Sequence, residues 1–311
     1  MVRKLKGLED IVGLSIVSPL MYDKSWSFGD YPGATEDKVH GFKYLHELYT
    51  HAKADYTGRV TVPVLYDTVE EKIVNNESSE IIRIFNQAFD DLGAKEGDFY
   101  PEELRSEIDE INDFVYDRIN NGVYKAGFAT KQEVYEEEAK NVFAALDKIE
   151  EILSKNKYLV GDRFTEADIR LFTTLVRFDA VYFSRFKCNL RALTSYENIW
   201  RYTRLIYNME GLSETVNLDH IKTHYYKSHD MINPNQIVPI GPEIDFSLWE
   251  IKIIKNNPRF LCLGLFKFIF YFESLEIICA TSALVKFFFG ENLLWEVPLK
   301  ISLLAKNWIS S

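Results

Sequence analysis

The sequence predicts a short α/β unit followed by an all-helical unit, and then a tail of different character. Three observations carry this. Over residues 1–90, short β-branched runs alternate with helical spacing. From Pro101 onward, apolar residues step by three and four. After Ser247 both charge and aromatic content shift.

Residues 11–18 (IVGLSIVS) form a β-branched run closed by Pro19, a strand candidate. A loop rich in Gly, Asp and Pro follows to His40. Phe42, Leu45, Leu48 and Tyr49 then recur at helical spacing. Residues 60–66 read as a strand interrupted by Pro63; proline donates nothing to a ladder, so an edge position, a bulge or a cis bond is expected. Residues 72–75 make another short strand, and residues 78–89 a helix with Ile81, Ile82 and Phe85 on one face. Further on, Leu104, Ile108, Ile111 and Val115 line one helix face, and Val142, Phe143, Leu146, Ile149 and Leu153 another. Thr165-Glu166-Ala167-Asp168 is a helix start in which Thr165 and Asp168 cap reciprocally. Losing either capping side chain is expected to cost about 0.5–2 kcal/mol.

Composition bounds the function. The chain of 311 residues carries 36 basic and 47 acidic residues, net −11. An acidic excess disfavours nucleic acid and anionic lipid, both of which need clustered Lys and Arg. The balance is uneven. Residues 249–311 hold seven basic and five acidic residues, a net +2, so the preceding 248 carry −13. Eight of the 22 phenylalanines fall between Phe260 and Phe289. Three cysteines (Cys188, Cys262, Cys279) without CxxC spacing exclude a disulfide framework and a thiolate zinc site. No signal peptide is expected from the opening VRKLKG, and the cytoplasm is the expected compartment. His220 and His224 are spaced i, i+4, yet without an HExxH carboxylate a structural role is expected, and no metal.

The order TVPVL, NNESSEII, FTEADIRLF resembles a cytosolic glutathione transferase. GRVTVPVL, IVNNESSEIIRIFN, INNGVYKAGFAT, TEADIRLFTTLVRFDAVY, FKCN and NLDHIKTHYYKSH resemble more closely the Xi class, the omega-like glutathionyl-hydroquinone reductases. The similarity covers about 1–246. It implies a thioredoxin-like glutathione-binding domain over 1–90, a helical C-terminal domain over 101–246, and an unmatched apolar tail over 247–311. It further implies glutathione as co-substrate, quinone or hydroquinone conjugates as substrates, and a homodimer.

The resemblance assigns residues. Val62, before the cis-proline Pro63, offers its backbone to glutathione; Glu77 and Ser78 open a helix whose free N–H groups suit the γ-glutamyl carboxylate. Trp26 and Arg59 line the peptide and hold a carboxylate. Tyr124 and Tyr225 face the quinone. Outside this context each has a plain structural reading, as a cap, an edge-strand proline, a loop anchor or packing.

The family's nucleophile is a cysteine in a Cys-Pro-Trp-Ala context, at a helix N-terminus that lowers the thiol pKa. This sequence has no such motif. Residues 2–8 resemble the end of the helix that follows it, so the first strand is expected to be absent too. Residues 11–18 and 60–66 would then lack ladder partners, and the N-terminal half would be destabilised. The chain as written is expected to be inactive. The alternative is a non-catalytic glutathione-transferase-like binding module. The tail reads first as an aberrant extension or altered gene end, second as an amphipathic helix on the body or a membrane, and last as a spanning helix. Residues 277–285 are its longest uncharged stretch, far below the ~18 residues a span needs, and membrane association is not expected.

Overall fold

The computed structural model describes residues 1–248, which form one compact unit. The tail over 249–311, with Cys262 and Cys279, lies outside the described residues.

The N-terminal part begins with a single turn, α1 (Val2–Leu5), followed by a hairpin of β1 (Val17–Tyr22) and β2 (Ser25–Phe28). Next come α2 (Leu45–Ala52), a second hairpin of β3 (Leu65–Asp67) and β4 (Lys72–Asn75), and α3 (Ser78–Gln87). The strand expected at 11–18 is displaced: pairing starts at Val17, and residues 11–16 are irregular, with Ile11, Leu14 and Ile16 exposed. Local bonds hold this stretch instead, since the Arg3 guanidinium donates to the carbonyls of Val12 at 2.6 Å and Glu9 at 3.0 Å. Pro19 does not close the strand but lies inside it. Its missing N–H coincides with the register irregularity between Val17 and Met21. The expected strand at 60–66 is likewise shortened to Leu65–Asp67, because residues 60–64 find no ladder partner among the described residues and the Val62–Pro63 bond is cis. The expected helix at 78–89 stops at Gln87. Among the described residues the two hairpins remain separate two-stranded antiparallel sheets.

From Arg105 the chain is helical: α4 (Arg105–Val115), α5 (Gly122–Gly127), α6 (Gln132–Lys155), α7 (Glu166–Arg177), α8 (Phe183–Arg185), α9 (Glu197–Tyr207) and α10 (Leu218–Lys227). Single π-turns at Tyr116–Asn120 and Phe178–Tyr182 lead into α5 and α8. The apolar stripe read on α6 is buried throughout, and with Ile108, Val115, Leu171, Phe172 and Leu175 it forms the large core. A smaller cluster of Phe28, Leu45, Leu48 and Tyr49 underlies the first hairpin. The capping box at α7 forms: the Asp168 carboxylate accepts the Thr165 N–H at 2.7 Å. No helix among the described residues is long and apolar enough to cross a membrane.

Candidate functional site

The segment around the cis bond is held by its neighbours rather than by a ladder. The Tyr49 hydroxyl, on the buried face of α2, donates to the Thr61 carbonyl at 2.9 Å. The Asn76 amide donates to the Tyr49 hydroxyl and to Thr61 Oγ1, both at 3.3 Å. These bonds tie the backbone just before Val62 to the start of α3. Val62 itself stays exposed. Nearby, the Tyr56 hydroxyl donates to the Arg59 carbonyl at 2.8 Å, while the Arg59 guanidinium is exposed and has no partner among the described residues.

Glu77 is the N-cap of α3, and its own N–H donates to Asn75 Oδ1 at 2.7 Å. Among the described residues its exposed carboxylate receives only its neighbours' hydroxyls, from Ser78 at 3.5 Å and Ser79 at 3.4 Å. The first backbone N–H groups of the helix have no intrahelical partner. A carboxylate, two hydroxyls, free N–H groups and the positive helix end therefore meet at one exposed point. Such a set can hold an ammonium and a carboxylate side by side.

Trp26, on β2, packs with Val60 and Val64 against the small cluster and faces the helical part as well. Its ring stacks on His224 of α10, centroids 4.9 Å apart. His224 Nδ1 donates to the Pro19 carbonyl at 3.0 Å, which fixes the tautomer because a carbonyl only accepts. Burial lowers its pKa to about 4, so the ring is neutral in ordinary buffers. His220 Nε2 likewise donates to the Pro32 carbonyl, at 2.7 Å. Gly33 lies against that imidazole with φ +86, where a Cβ would sit 2.9 Å from Nε2.

His224 meets Tyr225 edge-on, and from there a chain of phenols begins. Tyr225 Oη bonds Tyr182 Oη at 2.9 Å and also bonds Tyr124 Oη. Tyr182 and Tyr225 are buried, whereas Tyr124 is 37% exposed. Burial raises the pKa of both inner phenols above the ordinary tyrosine value, so each stays protonated and able to donate. Phe128 and Phe186 flank the Tyr124 ring. The close approach of Phe186 depends on Gly127, where a Cβ would lie 2.2 Å from its ring. An outward phenol backed by two inner ones, between aromatic walls, can stack on a flat ring and donate to an oxygen on it.

The structure thus gathers the expected residues into two groups. Tyr49, Thr61 and Asn76 tie the segment just before Val62 and Pro63 to the start of α3, where Glu77 and Ser78 lie, and Trp26 packs on the same small cluster as Val60 and Val64. Tyr124 and Tyr225 form the second group, which Trp26 reaches through His224. Sequence reading missed Tyr49, Asn76 and Tyr182. Asn76 and Tyr182 lie inside the motifs quoted above, but only their three-dimensional contacts distinguish them. Cys188, the one cysteine among the described residues, is fully buried, and burial pushes its thiol up to about 12.

Residues 132–205 match the glutathione S-transferase C-terminal domain family. The glutathionyl-hydroquinone reductase YqjG of Escherichia coli is 55% identical over 241 residues, covering 77% of this chain and 74% of that protein. Glutathionyl-hydroquinone reductase PcpF of Sphingobium chlorophenolicum is 53% identical over 240 residues, 77% of each chain. Among solved structures, glutathione-bound YqjG superposes with a TM-score of 0.79 at 52% identity, over 82% of this chain and 83% of that one. A Xi-class glutathione transferase from Natrialba magadii superposes at 0.78 with 48% identity, over 80% and 76%.

Proposed function

Since this chain belongs to the Xi-class glutathione transferases, the glutathionyl-hydroquinone reductases, we propose that its two residue groups are the two halves of one substrate site. Residues 1–90 hold the glutathionyl moiety. Glu77 pairs with the γ-glutamyl ammonium, and the Ser78 hydroxyl with the free α3 N–H groups takes its carboxylate. The Val62 backbone, left unladdered beside Pro63, pairs with the cysteinyl peptide. Arg59 takes the terminal carboxylate, and Trp26 covers the peptide. Residues 101–246 hold the hydroquinone ring, with Tyr124 outermost and Tyr225 behind it. The contact that supports this reading is the Trp26–His224–Tyr225–Tyr124 bridge, because Trp26 packs on the same small cluster as Val60 and Val64, which flank Val62 and Pro63.

In the proposed reaction the ring of an S-glutathionyl-hydroquinone first loses a hydroxyl proton and gains a proton at the carbon bearing sulfur, giving its keto tautomer. A thiolate then attacks the sulfur, the bond from sulfur to ring carbon breaks, and its electron pair passes through the ring to that oxygen, which Tyr124 stabilises by donation. The oxygen takes up a proton and the hydroquinone leaves. A second glutathione attacks the mixed disulfide, releasing glutathione disulfide and restoring the thiolate. Cys188 does not serve: its thiol is buried and held protonated. A homodimer in the cytoplasm is the working assembly, and light scattering checks its size.

Calorimetric titration with glutathione and with an S-glutathionyl-hydroquinone tests the reading. The conjugate is expected to bind tighter; Glu77→Gln should weaken both ligands, and Tyr124→Phe the conjugate alone. Equal affinity for the two ligands, or indifference to Glu77→Gln, refutes it. Joining a Cys-Pro-bearing segment upstream should raise hydroquinone release, whereas no gain favours a binding module.

A further inference from the structure

His40, His51 and Glu71 lie 11 and 20 positions apart in sequence, yet their ligating atoms all fall within 4.8 Å of one another. Each comes from a separately fixed element. His40 is in the loop before α2, where the buried Asp37 carboxylate accepts the N–H groups of Val39, His40 and Phe42 at 3.0–3.2 Å. His51 is in the last turn of α2, a helix anchored by Leu45, Leu48 and Tyr49. Glu71 is in the β3–β4 turn, at φ 51, and Asp67 fixes that turn by accepting the N–H groups of Val69 and Glu70.

The side chains converge. The imidazoles of His40 and His51 are 4.5 Å apart, and His51 Nε2 lies 3.8 Å from Glu71 Oε2. The Tyr66 hydroxyl sits 3.0 Å from His40 Nε2, and Phe42 stacks on the other side of that ring. Charge around the cluster is acidic: Asp37, Asp67 and Glu71 all act on Tyr66, while Lys72 is taken by Glu70. Two imidazoles and a carboxylate form a three-ligand set that borderline divalent ions favour, with the remaining position left to water. Tyr66 is placed to hold the second nitrogen of His40, as outer partners of metal-bound histidines do.

We propose that His40, His51 and Glu71 bind one borderline divalent transition-metal ion of the zinc type. Bonds of about 2.0–2.1 Å place tetrahedral donors roughly 3.4 Å apart. The exposed side chains of His51 and Glu71 close the remaining gap by rotating about their own bonds. The bound ion would clip the loop before α2 and the β3–β4 hairpin to the end of α2. Tyr49, which steadies the Thr61 carbonyl, lies two positions from His51 on that helix.

Calorimetry of the full chain with zinc chloride, in thiol-free buffer, tests the assignment. One saturable site is expected, weakened at least tenfold by His51→Ala and by Glu71→Gln, and unchanged by His46→Ala or His220→Ala. Cobalt absorption should show a visible band that both of the first two variants lose. Circular dichroism of these surface variants should match the parent. Absence of saturable binding overturns the proposal, and so does a site whose affinity and cobalt spectrum persist in His51→Ala and Glu71→Gln. Glutathione plays no part in this measurement, so the result is independent of the substrate reading.

Discussion

Replacing Asp168 by alanine is expected to cost far more than a helix cap. The carboxylate, fully buried, accepts four hydrogen bonds: from the N–H groups of Thr165 at 2.7 Å and Leu159 at 2.9 Å, and from the hydroxyls of Tyr202 at 2.9 Å and Thr165 at 3.2 Å. A cap alone is worth about 0.5–2 kcal/mol. Alanine would strand the Thr165 and Leu159 N–H groups and the buried Tyr202 hydroxyl, at about 1–3 kcal/mol each. Water entering the vacated space satisfies part of this, leaving a loss of about 3–6 kcal/mol. That is a large fraction of the ~5–15 kcal/mol that holds a typical protein folded. The pH dependence sharpens the test. Burial outweighs the four donors and pushes this carboxyl up to about 6 from its ordinary 3.8. The folded state therefore holds the proton more tightly than the unfolded one. The contribution of Asp168 is greatest below 3.8 and declines as pH rises through 6, by roughly 3 kcal/mol. Asp168→Asn, which cannot titrate, should trail the parent by a gap that widens from pH 7 towards pH 4. Urea unfolding followed by circular dichroism measures both effects. A loss below about 2 kcal/mol in Asp168→Ala, set against the ~1–3 kcal/mol per stranded donor, would refute the accounting; a gap that narrows on acidification would refute the sign.

Tyr225→Phe removes the middle hydroxyl of the phenol chain and leaves the buried Tyr182 hydroxyl without its partner. Calorimetry should show weaker binding of the hydroquinone conjugate with glutathione affinity unchanged, and unfolding should show a loss of about 1–3 kcal/mol. For His224, burial lowers the pKa to about 4, so its contribution to stability is fully present above its ordinary 6.5 and is lost as pH falls towards 4. Its imidazole resonances should not titrate between pH 8 and 5.5, and His224→Phe should flatten that acid-side loss. Cys188, with a thiol pushed up to about 12, should resist iodoacetamide at pH 8 in the folded chain and react in guanidinium, as peptide mass mapping would show.

Local signals were the most legible. The short strand at Lys72–Asn75, the start of α3 at Ser78 and the Thr165–Asp168 cap all follow from side chains within a few residues of one another. The strand expected at 11–18 failed because a ladder is a non-local bond. Without a neighbour along that stretch, β-branched residues do not form a strand, and pairing begins only where Val17 can meet Phe28. The ligand groups assigned by resemblance were legible as residue types but not as a site. Nothing near Glu77 in sequence shows that Asn76 reaches Tyr49 and Thr61, and nothing near Trp26 points to a ring 198 positions away. The His40–His51–Glu71 cluster was invisible for the same reason, since its members share no helix face or motif spacing.

What places Trp26 is therefore the helical part. Its hairpin rests on only a small apolar cluster, yet α10 grips it and the loop that follows at several points. Ser228 Oγ accepts the Met21 N–H at 3.0 Å and donates to the Pro19 carbonyl at 3.1 Å, the same carbonyl that His224 engages. The Tyr31 hydroxyl donates to Asp219 at 2.8 Å, and His220 reaches Pro32. The Pro19 carbonyl serves both donors through its two lone pairs, so the proline at the register irregularity also supplies the docking point. One helix thus carries Tyr225 towards the proposed ring-binding side and His224 towards the proposed peptide-binding side, on adjacent residues. Coupling between the two proposed halves then needs no separate device. A substitution on α10 that shifts His224 must move both Trp26, stacked on its face, and Tyr225, joined to it by the chain.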